Sequence, residues 1–320
     1  MAADPGDNRD ALEAFHTARR LTELRLRPVQ GAFDVEHLKE INRRIFQDLP
    51  GLGFTDVTPG EFRSPAPDGR DWVKHRTLDT ARVTSHVAYS PMDEANQSRM
   101  AKRLGQIDLA VLNALTTDAF TRNLADLYAD LDYIHPFRDG NSRTLREFTR
   151  QLADAAGFDL RWEVFGQAKG GRDVLYVARD LSVNRQALPL LQHEDTRRDI
   201  TFTLDQLAGN RDLPELLLSA GRAVVRPHRA IGFERLSEHD ACAKYPELAP
   251  LYRQMDDAAS KAQTAFAQSP GGQTRFLAQV RARIQTALDA GEVSVARASK
   301  RENKPHDRPA QSDEPTLSQE

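Results

Sequence analysis

The chain has 320 residues, a formal net charge of -3 and 39% hydrophobic residues, enough for one good-sized domain plus a smaller unit. The near-neutral balance argues against a dedicated nucleic-acid binder, and no apolar run approaches a membrane span. Residues 1–7 lack the basic and apolar regions of a signal peptide, and the lone Cys242 permits no internal disulfide. These features predict a reducing, cytoplasmic setting, which a protein delivered into a target cell would share.

Residues 1–9 read as a disordered lead. Over residues 11–26, Leu12, Phe15, Leu21 and Leu24 give a helical pattern that breaks at 28–31. Asp34 is a good N-cap for a helix on which Val35, Leu38, Ile41, Ile45 and Phe46 recur at helical spacing. His37 on that helix reads as structural, and residues 50–53 end it. Residues 58–91 differ: Pro59, Pro65, Pro67 and Pro91, with Gly60 and Gly69, surround two β-prone pieces at 71–74 and 82–89. The turn at 66–69 is a candidate to join two strands.

Helices are predicted over 92–109 and 118–134, the second with a broad apolar face of Phe120, Leu124, Leu127, Tyr128 and Leu131. A helix over 142–156 buries Leu145, Phe148, Leu152 and Ala155, with Gly157 as its stop. Residues 158–162 look extended, and short helices follow at 173–181 and 185–192. From about residue 193 the character changes. Helical patterns cover 201–220, 247–267 and 276–290, with 222–233 extended and Pro246 placed to start a helix. Beyond 290 apolar residues become scarce, and Arg297, Lys300, Arg301, Lys304 and Arg308 form a basic strip. It reads as a solvated tail, without a strong nucleic-acid signal.

The run from His135 to Arg146, His-Pro-Phe-Arg-Asp-Gly-Asn-Ser-Arg-Thr-Leu-Arg, concentrates the chemistry. Gly140 and Asn141 tolerate positive φ, and a chain that turns there points successive amides inward as an anion nest. The helix that follows adds its free amides and the positive end of its dipole. Ser142 is a residue favoured at helix starts. Arg143 and Arg146, three apart, lie on one helical face and suit phosphate oxygens. Asp139 is a hard oxygen ligand, and Mg²⁺ needs only one or two carboxylates when phosphates complete its shell. His135 is the natural general base for a hydroxyl, and Phe137 is the apolar anchor of the loop. These residues fit transfer of a phosphate-linked group to a hydroxyl; nothing in the spacing says which phosphorus is attacked.

The run resembles the Fic family motif, His-x-Phe-x-Asp/Glu-Gly-Asn-Gly-Arg-x-x-Arg, at every fixed position but Ser142, where the family usually has Gly. The resemblance extends over residues 10–195. It implies a mainly α fold: a Fic-type helical bundle with a small β-hairpin flap, to which residues 59–63 lead. Residues 196–290 then form a small, mostly helical accessory domain, and 291–320 a disordered tail. The activity implied is protein adenylylation, AMP passing from ATP to a Ser, Thr or Tyr hydroxyl of a target protein. His135 is then the catalytic base and Asp139 the Mg²⁺ ligand. Gly140, Asn141 and Ser142 cradle the phosphates, and Arg143 and Arg146 clamp their distal end. DNA gyrase or topoisomerase IV is a family-level expectation for the target.

Many members carry an inhibitory helix, Ser/Thr-x-x-x-Glu-Gly/Asn. Ser90 to Glu94 has the spacing but contains Pro91, and Thr316 to Glu320 ends the chain. Neither is convincing, which points to inhibition by a separate, small antitoxin-like partner, in a toxin or a secreted effector. The competing readings are a catalytically idle, nucleotide-binding adaptor and transfer of another phosphate-linked group.

Overall fold

The computed structural model describes residues 5–67, 70–78, 83–167, 170–219, 223–225 and 227–289. Helix α1 (Pro5–Leu26) starts inside the stretch expected to be disordered. Proline's fixed φ suits a first helical position. Helix α2 (Val35–Phe46) starts as expected, with the Asp34 side chain accepting from the His37 amide at 2.9 Å. Its apolar face, Leu38, Ile41, Ile45 and Phe46, is buried. His37 is structural: it stacks on Phe33 at 4.5 Å and lies 3.3 Å from Gln151.

Strands β1 (Trp72–Leu78) and β2 (Val83–Tyr89) form an antiparallel hairpin in a register that pairs Trp72 with Tyr89 and Leu78 with Val83. The turn expected at 66–69 precedes the hairpin, so it does not join these strands. The β-prone residues run on past Lys74 to Leu78, and the join falls in 79–82, which, like 68–69, lies outside the described residues. Trp72, Lys74 and Arg76 share the face that carries Ser85, Val87 and Tyr89.

Helix α3 (Glu94–Leu104) stops at Gly105, short of the predicted 109, and Asp108 caps a separate helix α4 (Leu109–Ala114). Helix α5 (Thr117–Ile134) is the central element, packed on α3, on α6 (Asn141–Ala155), on α8 (Gly171–Ala187) and on α10 (Leu213–Ser219). Between α6 and α8 lie the two-residue strand β3 (Asp159–Leu160) and helix α7 (Val164–Gln167). The two short helices expected at 173–192 are one helix, α8, because its Leu175, Ala178, Leu181 and Val183 keep an unbroken buried stripe. Helix α9 (Glu194–Gln206) precedes α10, and β4 (Val224–Val225) pairs with β3.

The hairpin is fastened from below. Asn184 of α8 accepts from the Ala88 amide at 3.1 Å and donates to His86 O at 2.8 Å; the Ser85 hydroxyl donates to Asp180 at 2.6 Å. Thr203 of α9 accepts from the His86 amide at 3.2 Å.

The main core takes in Ile200, Leu213, Leu216, Leu217 and Val224 together with α2, α5 and α6. Residues on both sides of the division expected at 195–196 thus share this core. A second cluster is built from α11 (Pro227–Arg235), α12 (Glu238–Lys244), α13 (Ala249–Ala265) and α14 (Pro270–Asp289), with Cys242 packed against it as an apolar filler. The stretch expected to be extended, 222–233, is mostly helix α11. Arg229 crosses between the clusters, donating to Asn113 O at 2.7 Å and pairing with Glu247. The tail 291–320, with the basic strip and the Thr316–Glu320 spacing, lies outside the described residues. No helix among the described residues is long and apolar enough to cross a membrane.

Candidate active site

The site lies where α5 hands over to α6. His135 follows the last turn of α5 in the left-handed region, φ 49° and ψ 60°, with its amide bonded to Leu131 O at 3.0 Å. That conformation costs a non-glycine residue about 1 kcal/mol. Arg63 holds it. Its Nε donates to His135 O at 2.8 Å, and its Nη2 donates to Ser90 O at 2.6 Å and Ile134 O at 3.3 Å. The guanidinium lies 3.3 Å from the Trp72 ring centroid. A cation here satisfies the orphan carbonyls at the negative end of α5. Burial pulls its pKa down to about 9, so it stays charged at neutral pH. Arg63→Met strands these carbonyls and is expected to cost about 3 kcal/mol, read as a lower urea midpoint at unchanged slope.

The loop is built by its own side chains. Phe137 is buried 5.6 Å from Phe62, which makes it the expected anchor. The Asn141 side chain accepts from the Phe137 amide at 2.9 Å and donates to Phe137 O at 2.6 Å. That side chain therefore serves the loop, and only its backbone remains to meet an anion. Gly140 has φ 75°, and a Cβ there would sit 2.0 Å from Phe46 Cζ. The glycine is thus required by the neighbouring ring as well as by the turn. No side chain caps α6, which leaves its first amides facing the loop.

The remaining motif residues diverge. Asp139 is exposed and makes no hydrogen bond or ion pair among the described residues, so its oxygens are open to a cation. No group of three or more metal-type ligands occurs there among the described residues, which fits Mg²⁺ only in company with phosphates. Ser142 does not cap the helix; it lies inside it, and its hydroxyl accepts from Arg179 Nη1 at 3.1 Å. Arg143 reaches back to α1, donating to Glu13 at 2.5 Å and Thr17 at 3.1 Å, with Phe46 beneath it at 4.8 Å. Arg146 turns the other way and donates through Nε to Ser142 O at 3.1 Å. The two arginines expected as one clamp have different partners, Arg143 on α1 and Arg146 on its own helix.

The His135 ring is buried between Tyr89, at 3.9 Å between centroids, and Trp72, at 5.5 Å. Burial is the main cause that lowers its pKa to about 4, partly offset by Asp132. Asp132, one turn earlier on α5, is buried and held by two bonds from Arg179, at 3.0 and 2.9 Å. Burial opposes its charge, but the guanidinium overrides that and holds the carboxyl at about 2. Lys74 of β1 bends over Trp72 to Arg138 O, at 3.4 Å. Desolvation lowers its pKa.

Sequence reasoning missed Arg63, Trp72, Tyr89, Lys74, Asp132, Arg179 and Glu13. Two signals were present: Asp132 stands three residues before His135 on one helix, and Arg179 interrupts an apolar stripe.

A mainly helical fold with a two-stranded hairpin and the turn from α5 into α6 can be set beside known proteins. Residues 32–153 match the Fic/DOC family, and the chain is similar to protein adenylyltransferases. Protein adenylyltransferase VbhT of Bartonella schoenbuchensis is 28% identical over 155 residues, 48% of this chain and 28% of that one. A protein adenylyltransferase of Bartonella henselae is 23% identical over 230 residues, 68% of this chain and 40% of that one. The chain thus spans less than half the length of these two relatives. Among solved structures, the BepC protein of Bartonella tribocorum with bound AMPPNP aligns at a TM-score of 0.39 and 18% identity. The match covers 64% of this chain and 88% of that one, a likeness too loose to say more of this chain.

Proposed function

We propose that the protein is an adenylyltransferase that moves AMP from ATP to a Ser, Thr or Tyr hydroxyl of a target protein. The observation that carries this reading is a buried, neutral imidazole beside the uncapped start of α6. A base and an anion seat are then adjacent on one turn. The target hydroxyl oxygen attacks the α-phosphorus as its proton passes to His135 Nε2. The bond to the bridging oxygen breaks, and pyrophosphate leaves. Attack at the α-phosphorus follows from the family resemblance and the names of the relatives; the geometry serves any phosphate-linked transfer.

The amides at Gly140, Asn141 and Ser142 would hold phosphate oxygens, and Arg146 lies on the same turn. Arg143 joins them once Glu13 releases or shares it. Asp139 would hold Mg²⁺, which neutralises phosphate charge when bound. A target protein, for which gyrase or topoisomerase IV is the family-level expectation, would approach beside the hairpin. A separate antitoxin-like inhibitor remains part of this proposal: Ser90, the candidate start of an internal inhibitory helix, lies in a loop with its hydroxyl donating to Ile134 O at 3.0 Å. An idle adaptor would need a defective base or ligand, and the sequence keeps both His135 and Asp139, which supports the enzyme reading. Mass spectrometry of proteins from cells expressing the chain tests the reading. A hydroxyl residue gaining the mass of AMP is expected; phosphate alone, or no modification, contradicts it.

The depressed His135 pKa has a sign that can be checked. Between pH about 4 and the ordinary 6.5, the unfolded chain binds a proton that the folded ring refuses. Its contribution to stability is therefore complete above 6.5 and fades as pH falls towards 4. An NMR titration is expected to show a neutral ring down to about pH 5. A midpoint near 6.5 contradicts the burial.

A further inference from the structure

Beneath His135 lies a buried polar chain that the proposed reaction has not used. His135 Nδ1 is buried and has no hydrogen-bond partner. The nearest carboxylate, Asp132 Oδ1, lies 3.7 Å away, and both side chains are almost fully buried. Arg179 of α8 grips Asp132 through Nε and Nη2, and its Nη1 continues to the Ser142 hydroxyl. Asp132 is therefore fixed in place by a group that also reaches the first turn of α6. A separation of 3.7 Å is too long for a hydrogen bond, but catalytic contacts in ligand-free sites are often loose and tighten on binding.

We infer that Asp132 is the positioning residue of His135: its carboxylate, clamped by Arg179, takes the Nδ1–H, so that the lone pair of Nε2 is the one presented to the incoming hydroxyl. A neutral imidazole has one donor and one acceptor nitrogen, and the partner of one decides the role of the other. Ser142, the departure from the family motif, gains a purpose in this arrangement. Its hydroxyl ties Arg179 to the turn that seats the phosphates, so base and anion seat share one support. The other charged or titratable groups around the ring are Lys74 and Arg76 from β1, Tyr89 from β2, Arg63 below the loop and Arg179 from α8. Lys74 and Arg179 disfavour imidazolium; Asp132 is the carboxylate that offsets them.

The consequence for rate rests on the proposed transfer reaction, whereas the tautomer does not, and the test separates the two. Asp132→Asn alone strands a buried guanidinium, so the working variant is Asp132→Asn with Arg179→Gln, which removes both charges and leaves two amides that can pair. NMR of isotope-labelled histidine, assigned with His135→Ala, reads the ring in the ligand-free full-length protein. The wild type is expected to carry its proton on Nδ1, and the double variant to lose that preference. In transfer assays the double variant is expected to lose about 10²- to 10⁴-fold in kcat, a loss larger than any rise in KM for ATP from the broken tie between Arg179 and Ser142. The acid limb of its pH profile should move to lower pH, because the carboxylate that favours the imidazolium is gone. A purely structural pair would leave the tautomer and the pH profile of the folded double variant as in the wild type, and that result overturns the inference. So does a wild-type ring protonated on Nε2. Absence of transfer by the wild type counts against the adenylylation reading alone, since the NMR measurement still decides the role of Asp132.

Discussion

His135→Ala is expected to lower AMP transfer by about 10²- to 10⁴-fold, the range a positioned general base supplies. The imidazole is the one buried titratable ring at the start of the loop, and α5, Tyr89 and Trp72 fix its position. Alanine also leaves a void between two aromatic rings and keeps a left-handed residue without glycine's freedom, so some stability is lost as well. His135→Asn separates the effects. Asparagine tolerates the left-handed region and keeps a polar tip, but it cannot accept the proton. Both variants should bind ATP with nearly wild-type affinity, because the ring is not part of the anion seat. Equal transfer by His135→Asn and wild type, with ATP binding intact, would remove His135 from the chemistry.

The second large effect is at Gly140. A methyl group there meets Phe46 Cζ at 2.0 Å, and the residue has φ 75°. The left-handed penalty of about 1–2 kcal/mol adds to an overpacking cost of about 1–3 kcal/mol. Gly140→Ala is therefore expected to lose roughly 2–5 kcal/mol in urea unfolding and to displace the first turn of α6. The double variant Gly140→Ala with Phe46→Ala removes the obstructing ring and should recover the packing share of the loss, leaving the backbone share. Simple additivity of the two single variants would show that the ring does not set the glycine requirement.

How much of this was legible depended on the range of each cause. The cap of α2 and the apolar stripes of α2, α5 and α6 are local, and Asp34, Phe120, Leu131 and Phe148 marked them correctly. The hairpin was visible as β-prone residues, but its turn was misplaced, since Pro67 and Gly69 gave a stronger turn signal than the residues that actually connect the strands. Helix α8 was split at 182–184, because Ser182 and Asn184 look like loop residues until their partners at Leu213 and on β2 are in view. Leu213, Leu216 and Leu217 likewise mark a helix in the sequence but not the core it joins, which is the main one.

At the site, the motif named the loop but not its supports. Arg63, Trp72, Tyr89 and Glu13 come from distant segments, and no spacing rule links them to His135 or Arg143. Reading Asn141 and Gly140 as phosphate ligands alone also missed a nearer duty. The asparagine side chain closes the loop on Phe137, and the glycine makes room for Phe46. Arg143 shows the opposite case, where a residue suited to phosphate pairs with a carboxylate of α1.

The most direct measurement of the central claim is transfer of radiolabel from ATP to protein in a target-cell lysate, with the label at the α-phosphate in one reaction and at the γ-phosphate in another. The proposed chemistry predicts protein labelled from the α-position only, by the wild type and not by His135→Asn. Label arriving from the γ-position, or transfer that survives the loss of His135, would contradict it.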